Sequence, residues 1–454
     1  MCWTLPARTP NNPRRLPRRI AALAAAALTA AVPSTGCAPP QTPSASADVQ
    51  IALNTPQGVR AKQVMDMLNS DWPIGPVSVS TLASADAVEP ISATMDRLWW
   101  DRPYRLSSAK IGAGSATLHV INAFGAHQHI GLRTDGQTQV TRMVVTTEKP
   151  VIKNWRDVDA ALQMTGARYS YQVSKVTDGR CEPVAGSNTT ESLPLASIFK
   201  TYVLYAVAQA VAAGRLGWGD LLTITTEMKK LGSSGFDELP PGSRITVRQA
   251  AGKMISTSDN MATDLLIERL GPGAIERALA GAGHHDPASM TPFPTMHEMF
   301  AVGWGKPDVR DQWKSAGPVG RAALLRAANA RPYEPDPLRT HSPGSAYGAE
   351  WYGNAEDICR VHAALQHGAT GVAAPVRDIM SEIPGIDLDA DEWPYIAAKA
   401  GNLPGDLTFS WYAVDRGGQP WVVSFQLNWP RYHSANAGAW VMTIVKQVFG
   451  LLPH

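Results

Sequence analysis

Apolar and polar positions change their spacing several times along this chain. Residues 20–32 are an almost unbroken apolar run, whereas residues 37–50 are mainly Pro, Ser, Thr, Ala and Gln, which bury little surface and read as a flexible tether. Helical spacing of apolar residues follows at 58–68 and 87–99. Strand-like runs then occupy 116–121, 127–132 and 138–146, with Asp135-Gly136 as the hairpin turn between the last two. Helices followed by an antiparallel meander predict a small α+β domain over residues 51–148. Glu148-Lys149-Pro150 breaks the pattern. Beyond it come a helix at residues 155–164, strands at 167–176 and 182–185 around the turn Asp178-Gly179, and a helix-rich middle. Strands at 407–414 and 421–427 and a closing helix at 435–451 end the chain. Strands at both ends of a helical middle predict one antiparallel sheet, completed late and packed by helices, for residues 149–454. The overall class is therefore α+β, with no internal repeat.

Length and charge sharpen this picture. A chain of 454 residues, 44% of them hydrophobic, is long enough for two to four globular domains. The formal charge of +2 comes from residues 1–37, which hold Arg8, Arg14, Arg15, Arg18 and Arg19 and no acid; the remainder is close to −3 and offers no electrostatic reason to bind nucleic acid. Those arginines precede the apolar run, which as a helix reaches only about 20 Å against a hydrocarbon core of about 30 Å. A basic segment, a short apolar run and then small residues predict an export signal over residues 1–36. Cys37, with small residues before it and Ala38-Pro39-Pro40 after it, resembles a bacterial lipobox, although Ser34 stands where that motif usually has Leu. The resemblance implies lipidation at Cys37 and attachment to the membrane on its extracytoplasmic side. Cys181 and Cys359 then remain. They could pair in an oxidising compartment, but one sits beside a turn and the other in a helical pattern, so they read as two free thiols in preference to a disulfide, with no zinc-site spacing.

The strongest chemical signal is Ser197-Ile198-Phe199-Lys200 at the start of an apolar helical run. Residues three apart share a helix face, so the Lys200 amine can reach the Ser197 hydroxyl and pair a base with a nucleophile. Ser107-Ser108-Ala109-Lys110 has the same spacing but no apolar helix behind it. His119, His127 and His129 can share a strand face, read as hydrogen-bonded or solvated in preference to metal-binding. Trp99-Trp100 reads as core and rim.

Two further segments make the serine–lysine pair specific. Ser258-Asp259-Asn260 stands at a helix entrance, and Lys399-Ala400-Gly401 follows a strand pattern and precedes Asn402-Leu403-Pro404-Gly405. In this order the three segments resemble the motifs of class A β-lactamases and penicillin-binding proteins. The resemblance covers about residues 150–454. It implies Ser197 as the acylated nucleophile, Lys200 as its general base, Ser258 as the relay to the leaving group and Asn260 as a holder of the substrate amide. Lys399 and Gly401 would belong to the third motif, with Lys399 supplying positive potential, and the N–H groups of Ser197 and Asn402 would form the oxyanion hole. Asp259 reads as a cap. With its tether and helix-then-meander domain, the chain is also similar to LpqF-like lipoproteins, whose first domain is of the cystatin or nuclear-transport-factor (NTF2) type.

Two departures qualify the implied activity. Ala400 stands where the family usually carries a hydroxyl that binds the β-lactam carboxylate. The loop carboxylate that drives deacylation in class A enzymes finds its nearest match in Glu334, within Arg331-Pro332-Tyr333-Glu334-Pro335-Asp336-Pro337-Leu338-Arg339. An insertion near residues 296–320 stands ready to reshape the pocket. The expectation is an exported serine hydrolase acting on an ester, amide or β-lactam, with weak β-lactamase activity. A penicillin-binding D,D-carboxypeptidase-like protein and a non-catalytic binding lipoprotein stay open as alternatives. No cofactor and no metal are implied, and oligomeric state is not addressed by these patterns.

Overall fold

The protein is described by a computed structural model over residues 49–452, apart from residues 230, 232–234 and 237. The export signal and Cys37 lie outside the described residues. Helix α1 (Pro56–Leu68) starts where Thr55 accepts from the Gly58 amide and Pro56 supplies a preset φ. After α2 (Val88–Trp99), strands β1 (Arg105–Gly112), β2 (Ser115–Ile121), β3 (His127–Thr134) and β4 (Val140–Thr147) form an antiparallel meander in that order. Buried and half-buried positions alternate along β2, because only one sheet face meets the helices. β1 is an addition to the three runs read from the sequence, and it contains Ser107 to Lys110, so that decoy lies on a strand. The connection between β3 and β4 is longer than a tight Asp-Gly turn. The Asp135 carboxylate accepts from the Gln137 and Gln139 amides, and Thr138, not Gly136, takes the left-handed conformation at φ 68°.

The second part starts with α3 (Trp155–Met164), capped by Asn154, and continues into β5 (Arg168–Thr177) and β6 (Arg180–Ser187). Asp178 and Gly179 both have positive φ in the two-residue turn between them, as the Asp-Gly signal requires. The helical middle includes α4 (Lys200–Ala212), α5 (Val247–Ser256), α6 (Asn260–Leu270), α7 (Ala274–Gly281), α8 (Met296–Trp304), α9 (Arg310–Ser315), α10 (Pro318–Asn329) and α11 (Ala355–Gly368). Strands β7 (Tyr395–Leu403), β8 (Asp406–Val414) and β9 (Pro420–Asn428) then complete a five-stranded antiparallel sheet in the order β7-β8-β9-β5-β6, and α12 (Ala435–Phe449) closes the chain. Nearly every position of β5, β8 and β9 is buried. That follows from coverage on both faces: α3 and α12 share one core with the sheet, and α4 and α11 share the other.

Cys181 on β6 and Cys359 on α11 form a disulfide, with Cα atoms 6.2 Å apart. This corrects the reading of two free thiols. The packing of α11 against β6 brings together two cysteines that are 178 residues apart, a proximity with no local signature.

Candidate active site

Ser197 is the second residue of a 3-10 turn, Ala196–Phe199, that runs directly into α4. The turn is held from behind. The Leu195 amide donates to Trp351 O at 2.8 Å, and the Trp351 ring stacks on Phe199 with centroids 3.9 Å apart. Ala196 has φ 42° and Ser258 has φ 58°, conformations that cost energy for residues with a Cβ and that surrounding contacts must sustain. Both occur at the two motif serines, one beside Ser197 and the other at Ser258 itself.

Lys200 is fully buried, and its Nζ donates to Ser258 O (2.7 Å), Ser258 Oγ (3.1 Å) and Asn260 Oδ1 (2.8 Å). Lys399, on β7, donates from Nζ to the same Ser258 Oγ at 3.0 Å and to Ala400 O at 2.6 Å. One hydroxyl thus lies between two amines. Burial, and then the neighbouring Lys399, hold the Lys200 ammonium well below the ordinary lysine range. Burial brings Lys399 down to about 7. An amine that gives up its proton this readily can act as a base near neutral pH.

The strand bearing Lys399 reaches the nucleophile because residue 401 has no side chain. A Cβ on Gly401 would lie 2.5 Å from Ser197 N, 2.6 Å from Thr408 Oγ1 and 2.8 Å from Ala196 Cβ. Thr408, paired with Gly401 across β7 and β8, anchors the turn through a 3.0 Å bond to Leu195 O. Asp259 caps α6 by accepting from the Ala262 amide at 2.7 Å, the role its position suggested. Asp264, one helical turn beyond Asn260, accepts from the Met296 and His297 amides at 2.7 and 2.9 Å and so ties α6 to α8. Its carboxyl is pushed up to about 7, chiefly by burial. The spacing of four residues from Asn260 on one helix is the sequence signal that points to Asp264.

Ser197, Ser258, Asn260, Ala400, Gly401 and Asn402 border one cavity of about 540 Å³. Met296 and Phe300 of α8 also line it, so the segment around residues 296–320 contributes to the wall of the pocket. Glu334 is not brought to this site. Its carboxylate is 67% exposed and pairs with Lys306 Nζ at 3.1 Å, and Glu334 is not among the residues that line the cavity. Helices α8 to α10 lie in the chain between the second motif and this loop.

Two histidine groups lie elsewhere. His119 and His129 face each other across β2 and β3 with rings 4.2 Å apart, and His129 bonds Glu148 at 2.7 Å. Among the described residues, His284, His285 and Asp357 have metal-ligand spacing. Both nitrogens of His284 are already engaged, however, by Tyr352 O at 3.0 Å and the Asp286 amide at 3.1 Å.

Residues 153–313 match the family model described as the β-lactamase enzyme family, a span that holds Ser197, Lys200, Ser258 and Asn260 but not Lys399. Residues 52–140 match the model for the N-terminal part of the ORF 12 gene product. No curated protein matches the chain. Among solved structures, the chain is similar to a β-lactamase from Sphaerobacter thermophilus, at 20% identity over 66% of this chain and 100% of that one, with a TM-score of 0.46. It is also similar to PBP-A, at 17% identity over 67% and 98% of the two chains (TM-score 0.45). The chromosome-encoded β-lactamase of Vibrio parahaemolyticus follows at 15% identity over 66% and 98% (TM-score 0.46).

Proposed function

We propose that this protein is an exported serine hydrolase that forms an acyl-enzyme at Ser197 on an ester, an amide or, weakly, a β-lactam. The observation that carries the reading is the meeting of Lys200 and Lys399 on Ser258 Oγ in the cavity that Ser197 lines. Neutral Lys200 takes the hydroxyl proton as Ser197 Oγ bonds to the carbonyl carbon. The oxygen that gains charge is met by the N–H groups of Ser197 and Asn402, a kind of contact worth about 3 kcal/mol per donor. The proton returns through Ser258 to the leaving nitrogen or oxygen, and the scissile bond breaks. Water then attacks the ester on Ser197, releasing the acid and restoring the hydroxyl. Ala400 has no hydroxyl to offer a β-lactam carboxylate, which supports weak β-lactamase activity.

One observation favours a second reading. Glu334 is turned to Lys306 outside the cavity, so deacylation lacks the carboxylate the family resemblance implied, and a long-lived acyl-enzyme would make the chain a penicillin-binding or covalent binding protein. Intact-mass measurement with penicillins and p-nitrophenyl esters tests both readings. A mass increase that is lost in Ser197→Ala supports acylation, and recovery of the free mass within minutes separates hydrolase from binder. Equal labelling of Ser197→Ala would remove the assignment.

The same proposal takes residues 51–148 as a cystatin- or NTF2-like domain of an LpqF-like lipoprotein, supported by the two longer helices and the four-stranded meander. It takes Cys37 as the lipid anchor outside the cytoplasm. The Cys181–Cys359 bond supports an oxidising compartment. Fractionation of a Cys37→Ala variant checks the anchor: retention in the membrane at the wild-type level would count against it.

A further inference from the structure

The cavity does not end at the motif residues. It continues along β8 to the N-terminus of α12, where Leu407, Phe409, Trp429 and Met442 make an apolar wall and His433 supplies an imidazole. The His433 side chain is only 5% exposed and is wedged between the rings of Phe124 and Trp429, 5.8 and 5.0 Å away. Its Nδ1 is enclosed, makes no hydrogen bond among the described residues, and lies 3.8 Å from Asp101 Oδ1. Nε2, the other ring nitrogen, is not among the enclosed and unpartnered atoms, and His433 lines the cavity.

Asp101 comes from the segment between α2 and β1, far from the motifs in sequence. It is fully buried and accepts from Ser434 N (2.8 Å), Ser434 Oγ (2.6 Å) and Asn436 Nδ2 (3.1 Å). One carboxylate from residues 51–148 therefore pins the start of α12 and faces the ring of the residue just before it. A carboxylate facing Nδ1 favours the tautomer with its proton there, which leaves the Nε2 lone pair to accept a hydrogen bond. Mostly apolar pockets take their specificity from a few such polar groups.

We propose that His433, oriented by Asp101, is a specificity subsite of the Ser197 cavity, selecting substrates whose apolar arm carries a hydrogen-bond donor, a hydroxyl or an amide N–H. The subsite rests on the serine-hydrolase reading and adds a substrate class to it. It also gives residues 51–148 a part in substrate choice.

The test uses three p-nitrophenyl esters whose acyl arms have equal length and end in methyl, methoxy or hydroxyl. The wild-type chain should favour the hydroxyl ester over the methoxy ester by about 3- to 10-fold in kcat/KM, the value of one neutral hydrogen bond. His433→Phe, which keeps the aromatic packing, should bring that ratio close to one. His433→Gln, which keeps an acceptor, should restore part of it. Asp101→Asn acts through the ring, so its loss of preference should appear in KM and not in kcat. Because each ratio is read within one protein, a variant that folds poorly still reports it. A wild-type ratio near one, or an undiminished ratio in His433→Phe, overturns the subsite while leaving acylation at Ser197 standing. If no ester acylates Ser197, the hydrolase reading falls and the subsite falls with it.

Discussion

Ser258 Oγ has one proton and two lone pairs, yet two amines approach it within 3.1 Å. Both amines are buried, and burial, joined at Lys200 by repulsion from Lys399, makes the lysines titrate low; this is a stability statement as well as a catalytic one. A lysine in the unfolded chain keeps its proton up to about pH 10.4. Folded Lys399 releases its proton at about 7. Between these values the unfolded chain binds more protons, so stability rises with pH across that window, and the penalty is complete below it. Lys399→Met should therefore raise the urea midpoint at pH 7, flatten the rise in stability between pH 7 and 10, and abolish acylation. An unchanged pH slope in the variant would show that Lys399 is not the group responsible. Glu334 gives the opposite kind of expectation. It is exposed and paired to Lys306, so Glu334→Gln should leave acylation and release rates within about 2-fold of wild type, given the small worth of a surface ion pair. Accumulation of acyl-enzyme in that variant, seen by intact mass, would return the residue to the site.

At the scale of elements, the site depends on a strand lying against a turn. Gly401 allows it, since any Cβ would collide with Ser197 N and Thr408 Oγ1. Gly401→Ala must push β7 away from the Ser197 turn. We expect about 1 to 3 kcal/mol of lost stability from overpacking and a fall in acylation rate of about 100-fold from misplacement. Wild-type acylation by Gly401→Ala in stopped-flow assays would mean that the strand does not need this approach. Element identity was legible wherever one face is wet. Along β2 the alternation survives, whereas β8 and β9 show continuous burial and were found by their apolar runs alone. Strand β1 escaped because its positions are mostly exposed or half-buried and carry little hydrophobic pattern.

The whole molecule adds constraints that no element shows by itself. The disulfide ties the edge strand β6 to α11 across 178 residues, and bridges closing loops this long are worth about 2 to 5 kcal/mol. Replacing both cysteines by Ser should lower the unfolding free energy by that amount in urea titration. A loss below about 0.5 kcal/mol would mean that packing alone holds the two elements together. The same long range explains what could be read beforehand and what could not. Ser197 with Lys200, Ser258 with Asn260, and Lys399 with Gly401 stand out in the sequence as local motifs because each pair sits within one turn or one strand, although the hydrogen bonds of Lys200 Nζ go to Ser258 and Asn260. The capping role of Asp259 is local in the same way. Tertiary structure alone brings Lys399 to Ser258 across 141 residues and Asp101 to Ser434 across 333, and it alone joins the cysteines and leaves Glu334 facing Lys306. Helix and strand periodicity record which face is buried but not which distant face it is buried against. Partners across the core are chosen by packing and by the need to pair every buried polar group.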